Sequence, residues 1–193
     1  DQQTKQVALL TAPAVQVQKE YRLTGAEYYY GAQMGEVDTP HKVAVLLHID
    51  NRKAAGLGLP LPAGVVRVYQ RDSAGGAQFV GEDRIDHTPD NETARIKLGD
   101  AFDVTARRTQ TDFKVLTTDQ DQRPQFETAW RIELKNARKT PVTVTVDEPI
   151  PGDWTVIDSS HPSKKVAAHA ARWRVTVPTA GGQTLTYRVR VKI

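Results

Sequence analysis

The sequence predicts an all-β protein. Apolar and polar residues alternate in short runs, and compact turns that contain glycine, proline or asparagine separate these runs, most clearly in residues 61–103. A helical period of apolar residues is absent from this stretch, whereas a period of two is typical of strands. The hydrophobic content of 39% agrees with this prediction, because a strand with one solvated face buries only alternate residues.

The first half of the chain alternates predicted strands with turns. Residues 43–49 are almost wholly apolar and predict a central strand that is buried on both faces. Gly99 and Asp100 predict a hairpin turn between two further strands. The predicted strands span residues 15–21, 43–49, 65–70, 78–80, 93–98, 102–107 and 112–116.

A polar stretch at residues 117–125 divides the chain. We expect an N-terminal β-rich lobe in residues 1–118 and a C-terminal lobe in residues 119–193, both of them β-sandwich-like. The C-terminal lobe has six or seven predicted strands, which is typical of an Ig-like or fibronectin-like sandwich. Residues 163–171 are alanine-rich and form the helix candidate of this lobe. The expected aromatic anchors of its core are Trp130, Trp154 and Trp173.

Several segments resemble a known bacterial family. They are residues 61–72 (LPAGVVRVYQRD), 79–92 (FVGEDRIDHTPDNE), 97–108 (KLGDAFDVTARR), 132–154 (IELKNARKTPVTVTVDEPIPGDW) and 185–192 (LTYRVRVK). These segments are similar to the bacterial domain-of-unknown-function family 4139, whose members are named mucoidy-inhibitor-like proteins. The resemblance implies the β-rich C-terminal region of a longer, exported chain, and hence a periplasmic or extracellular location. It implies no catalytic residues.

Composition excludes several classes of protein. The 26 Lys and Arg residues interleave with 23 Asp and Glu residues, and the net charge is +3. Nucleic-acid binders carry a basic stripe instead, so the sequence predicts no nucleic-acid partner. The chain has no cysteine and therefore no disulfide or thiolate metal site. No apolar run reaches the roughly 18 residues of a transmembrane helix, and no motif predicts a cofactor.

The histidines and paired acids do not form a recognisable metal motif, so the sequence predicts no metal site. Should this expectation fail, the candidate ligands fall into three groups. His48 and Asp50 share one face of a strand, Asp86 and His87 are neighbours in a turn, and the four could form one site if these two segments meet. In the alternative interpretation His87 holds its turn together by hydrogen bonds. The third group, Asp119 and Asp121, suits calcium in a polar loop that otherwise serves as a linker.

Tyr28, Tyr29 and Tyr30 are the predicted binding residues. Adjacent residues of a strand point to opposite faces, so at least one of these rings should be exposed. An exposed ring could stack on a sugar or enter a partner's pocket. In the alternative interpretation the segment is an edge strand with one tyrosine in the core.

The sequence predicts no enzyme. Ser159, Ser160 and His161 are adjacent, and their side chains should point apart on an extended chain. We therefore expect an interaction or scaffolding module of the bacterial envelope, whose partner is another protein or an N-terminal domain of its own chain. The alternatives are a module that binds carbohydrate or a surface polymer, and a hydrolase with a dispersed active site.

Overall fold

The computed structural model describes residues 10–117 and 123–193. Strands dominate this part of the chain, with two 3-10 segments at Glu27–Tyr30 and Lys53–Ala55 and no α-helix among the described residues. The all-β prediction is therefore confirmed. The strands are Val17–Thr24 (β1), Glu36–Asp50 (β2), Gly64–Arg71 (β3), Ala77–Ile85 (β4), Thr93–Thr117 (β5), Gln125–Asn136 (β6), Val142–Pro149 (β7), Asp153–Ser159 (β8), Ser163–Ala167 (β9), Ala170–Val177 (β10) and Gly181–Lys192 (β11).

Nine of the strands form one large sheet in the order β8-β11-β6-β5-β2-β1-β7-β10-β9, and β3 pairs with β4 in a separate hairpin. Most described pairs are antiparallel, but β1 runs parallel to β7 with Tyr21 opposite Val144. Strands adjacent in this sheet are therefore often distant in sequence, which is why the sheet order could not be predicted locally.

The chain divides into two compact units. Unit 1 contains Asp1–Lys19 and Leu46–Leu98, and unit 2 contains Glu20–Val45 and Gly99–Ile193. This division differs from the predicted boundary between residues 118 and 119, because β1, β2 and β5 each contribute residues to both units. The predicted boundary instead falls between β5 and β6, and residues 104–117 of β5 pair with β6.

Unit 2 has a large apolar core in which two groups of strands face each other. Trp130 and Trp173 are fully buried, and the Trp173 ring stacks on Tyr187 with centroids 4.6 Å apart. The Trp173 indole also donates a hydrogen bond to Ser159 Oγ at 3.0 Å. These contacts join β10 to β11 and β8, as in a sandwich. Trp154 is only partly buried, so its predicted place among the core anchors is wrong.

Unit 1 has a smaller core around Ile85, Ala94 and Ile96. A Cβ atom on Gly81 of β4 would lie 2.6 Å from the carbonyl oxygen of Leu98 in β5. The hairpin can approach β5 this closely only because residue 81 is glycine. The partly buried residues that complete this core are Leu47, Ile49, Leu61, Val66, Val68 and Leu98.

Two local predictions are wrong, and a third is right only in part. Gly99 and Asp100 make no hairpin turn, because β5 continues through them with Gly99 at φ 132° and then pairs with β6. Residues 163–171 form β9 and the start of β10 rather than a helix, since sheet pairing outweighs the small helix preference of alanine. β2 is central in the sheet as predicted, but of residues 43–49 only Val43 is fully buried.

Candidate functional site

A polar cleft in unit 1 has a volume of about 370 Å³. It contains two of the predicted residues, His48 and Asp50, which β2 presents on one face as expected from their spacing. Arg52 also lines the cleft and was not predicted from the sequence. It lies two residues after Asp50, as Asp50 lies two residues after His48, and this spacing could have indicated it. The residues that line the cleft are Gln16, Val17, Gln18, His48, Asp50, Arg52 and Thr93.

Asp50 and Arg52 form a bidentate ion pair at this cleft. Arg52 Nε donates to the two carboxylate oxygens of Asp50 at 2.7 and 2.9 Å, and Arg52 Nη2 also contacts Asp50 Oδ2. The hydrogen bonds from Arg52 lower the pKa of Asp50 below its ordinary value. The carboxylate therefore stays charged, and its charge is balanced by the guanidinium beside it.

Asn51 fastens the wall of the cleft to the loops behind it. Its side chain is buried, and its amide group donates to the carbonyl oxygens of Leu59 and Pro89 at 2.8 and 2.7 Å. Its Oδ1 accepts hydrogen bonds from the backbone N–H groups of Gly58 and Leu59. A buried amide with its donors and acceptors all engaged restricts the backbone around it, so Asp50 and Arg52 are held at a defined position.

Residues 16–18, the other segment that lines the cleft, are also held by a backbone contact. The backbone N–H of Gln16 donates to Ala55 O at 2.9 Å. Gly56 has φ +89°, and a Cβ on it would lie 2.0 Å from Ala14 O. Glycine permits both this backbone conformation and this close approach. The segment that carries Gln16 and Gln18 is thereby attached to the same loop that follows Arg52.

The other predicted ligand residues lie elsewhere. Asp86 and His87 do not line the cleft; His87 Nδ1 accepts a hydrogen bond from the Ala63 N–H at 3.3 Å, which joins its turn to the residues before β3. Asp119 and Asp121 lie outside the described residues. Within the described ranges, no group of three or more histidines and acids is placed to hold a metal ion.

The three adjacent tyrosines form a 3-10 segment and not a strand. Tyr28 is 65% exposed, whereas Tyr29 and Tyr30 are buried. The expectation that at least one ring is exposed is therefore confirmed, but two of the three proposed binding residues belong to the core. Tyr30 donates a hydrogen bond to Glu148 Oε2 at 2.8 Å.

Glu148 and Arg108 form an ion pair inside unit 2, and both side chains are fully buried. Arg108 Nη2 donates to Glu148 Oε1 at 2.6 Å, and the Tyr30 and Tyr187 hydroxyls lie 3.1 Å apart beside the pair. Burial and then Glu148 raise the pKa values of Tyr30 and Tyr187, so both phenols stay protonated. Burial is the largest influence on the pKa of Arg108 and lowers it, but Glu148 together with Tyr187 and Tyr30 outweighs burial, so this pKa is raised.

His41 also lies near this cluster in unit 2. Its Nε2 atom is buried and has no hydrogen-bond partner among the residues that the structure describes. Burial, followed by the positive charge of Arg108, lowers the pKa of His41, while Glu148 and a backbone contact with Val37 act in the opposite direction. His41 therefore resists protonation in the folded protein.

This lowered pKa predicts a loss of stability in mild acid. The unfolded chain binds a proton on His41 as the pH falls below about 6.5, whereas the folded protein does so only at lower pH. Stability should therefore be complete above about pH 6.5 and decline as the pH falls below that value. Thermal unfolding across this range should show the decline in the parent and a shallower one in His41→Gln. Equal slopes in the two proteins would contradict the assignment.

The outer face of the β3–β4 hairpin, called the hairpin face below, carries exposed aromatic rings. Tyr69 lies opposite Phe79 in the strand register, and their rings meet edge to face with centroids 5.6 Å apart. They are 56% and 57% exposed. Arg67 and Glu82 form an ion pair next to them at 2.9 Å. The residues of the hairpin face are Val65, Arg67, Tyr69, Phe79, Glu82 and Arg84.

Ser160 and His161 are closer than the sequence suggested. Ser160 Oγ lies 2.9 Å from His161 Nδ1, so the expectation that these side chains point apart is wrong. Ser160 Oγ also accepts the Thr186 N–H at 2.9 Å, and His161 Nε2 faces the amide of Gln183 at 3.5 Å. A Ser-His-Asp triad places a carboxylate, and not an amide nitrogen, at that second ring nitrogen. The described contacts therefore resemble a hydrogen-bonded bend more than an active site.

Comparisons with known proteins do not assign the chain to a family. No protein-family model matches it, and no curated protein does so. A structural comparison found the NMR structure of the folded domain of the LppM protein of Mycobacterium tuberculosis, with 9% sequence identity, coverage of 97% of each chain and a TM-score of 0.26. So low a score supports no conclusion about fold or function. In the described residues, no helix has the length and apolar character needed to cross a membrane.

Proposed function

We propose that this chain is a non-enzymatic interaction module that binds another protein through the hairpin face. The observation that carries the proposal is the exposure of Tyr69 and Phe79, at 56% and 57%, on strands whose inner face packs on the core of unit 1. Contiguous exposed apolar groups mark interaction sites. Aromatic residues and arginine are enriched in protein interfaces, and the hairpin face combines both.

The charges around the Tyr69 and Phe79 rings indicate which charges a complementary partner would carry. Arg67 and Glu82 neutralise each other, whereas Arg84 is exposed opposite Val65 and adds a positive charge. A complementary partner would present an apolar pocket for the two rings and a carboxylate opposite Arg84. Such charge pairing at the rim of an interface mainly sets the association rate and the specificity.

A location in the bacterial envelope, periplasmic or extracellular, is part of this proposal and has narrower support. It depends on the likeness of five segments to mucoidy-inhibitor-like proteins, residues 61–72, 79–92, 97–108, 132–154 and 185–192. The same likeness makes a further domain of the chain itself an alternative partner. No specific observation favours the hydrolase alternative, whereas the cleft of unit 1 bears on the carbohydrate alternative and is treated below.

The proposal is tested by placing a photo-crosslinking amino acid at position 65 of the hairpin face, which leaves both rings in place, capturing the partner from the source cells and measuring its binding in purified form. Tyr69→Ala and Phe79→Ala should each weaken binding about tenfold or more, since central aromatic residues contribute most of the affinity in such interfaces. Arg84→Glu should slow association, because it reverses the charge at the rim.

Phe102→Ala is the matched control, because Phe102 is 93% exposed but lies in unit 2. It should leave the affinity unchanged. Unchanged affinity of both hairpin variants for the captured protein would overturn the proposal. Light scattering distinguishes another outcome: a dimer that Tyr69→Ala dissociates would make a second copy of this chain the occupant.

A further inference from the structure

We propose that the polar cleft of unit 1 is a binding site for an uncharged saccharide. This inference is independent of the protein partner proposed above, because the cleft and the hairpin face share no residue. The volume of about 370 Å³ lies within the range of roughly 300–1,000 Å³ that is usual for small-molecule sites. The cleft is therefore large enough for one or a few sugar rings.

The side chains that line the cleft are suited to hydroxyl groups. Gln16 and Gln18 each offer an amide donor and acceptor, Thr93 offers a hydroxyl, and His48 offers an imidazole. Val17 alone supplies an apolar side chain. Each sugar hydroxyl both donates and accepts a hydrogen bond, so a saccharide can satisfy such a mixed set. A peptide would require apolar pockets for its side chains, and the lining residues do not provide them.

The charge balance of the cleft favours a neutral ligand. Asp50 is the acidic residue of the lining and Arg52 the basic one, and they are paired with each other. A phosphate or carboxylate drawn to Arg52 would also face the carboxylate of Asp50, and like charges at short range repel. The pair still has free hydrogen-bonding positions on the guanidinium and on the carboxylate. Planar groups of this kind can bind two neighbouring hydroxyls at once.

Both walls of the cleft are held in place before a ligand arrives. Asn51 fastens the backbone between Asp50 and Arg52, and the Gln16–Ala55 hydrogen bond fastens the other wall. A preorganised site loses less conformational entropy on binding than a mobile one. Preorganisation is important for saccharide binding, because each hydrogen bond to the sugar replaces a hydrogen bond to water and so contributes little net free energy.

The test titrates the isotope-labelled protein with maltotriose, mannotriose and chitotriose and follows the backbone amides by NMR. At least one of these neutral trisaccharides should give saturable shifts at residues 16–18, 48–52 and 93, with a dissociation constant of about 1 mM or lower. Asp50→Asn should weaken this binding about tenfold, because it replaces a charged acceptor and releases Arg52. Gln18→Ala is a second variant that leaves the ion pair intact.

Asp103→Asn is the matched control, since it makes the same change at the Asp103–Arg138 pair of unit 2 and should leave saccharide binding unchanged. Tyr69→Ala should also leave it unchanged, which separates this inference from the proposed protein partner. The inference is overturned if no neutral trisaccharide gives saturable shifts at the cleft. Tighter binding there of trigalacturonic acid, inorganic phosphate or tetra-alanine would overturn it as well, in favour of an acidic, phosphate or peptide ligand.

Discussion

Replacing Glu148 by glutamine is expected to destabilise the protein by about 3–5 kcal/mol, since it leaves the charge of Arg108 buried without its partner. Arg108 and Glu148 are both fully buried, 2.6 Å apart. Water therefore cannot solvate the unpaired guanidinium, and the free-energy cost of burying its charge remains. Chemical denaturation, with the midpoint and slope compared between variants, measures the loss.

The neighbouring residue supplies the control for this substitution. Asp147 pairs with Arg172, and at 3.6 Å also with Arg22, at the margin of unit 2, where Asp147 is 17% exposed and the two arginines are 36% and 20% exposed. Because these groups keep contact with solvent, Asp147→Asn should destabilise the protein less than Glu148→Gln. A double variant, Arg108→Met with Glu148→Gln, should lose less than the sum of the two single changes. Equal effects of Glu148→Gln and Asp147→Asn would show that the buried pair is not a special determinant of stability.

Trp173→Ala is the second substitution with a large expected effect. Trp173 is fully buried and stacks on Tyr187, and removal of a buried tryptophan costs about 3–5 kcal/mol. Trp130→Ala should be similar because Trp130 is equally buried. Losses of this size approach the whole stability of a typical domain, roughly 5–15 kcal/mol. Both variants should therefore unfold at much lower denaturant concentration than the parent.

Trp154→Ala is the matched control, because Trp154 is partly exposed and donates a hydrogen bond only to Ala168 O among its described contacts. Its loss should be clearly smaller than that of Trp173→Ala. If the three tryptophan variants have the same denaturation midpoint, burial of Trp130 and Trp173 does not determine the stability of unit 2.

Spacing in the sequence predicted only part of the polar cleft of unit 1. His48 and Asp50 meet in one cleft because residues two apart in a strand share a face, and this relation is independent of the rest of the chain. Gln16 and Gln18 reach the same cleft only because β1 lies beside β2 in the sheet. Asp86 and His87 do not line the cleft. The sequence could not show this, because no local pattern determines which turn lies near which strand.

The sequence by itself determined the strand character of this protein, because alternation of apolar and polar residues decides which backbone form buries one face. Glu148 was missed as a core residue, although it lies on the same face of β7 as Val142, Val144 and Val146. Only the tertiary structure decided that Arg108, 40 positions earlier, lies opposite this carboxylate. The physical reason is that a charge inside a core is tolerated only with a partner, and sheet order, which no local period encodes, selects that partner.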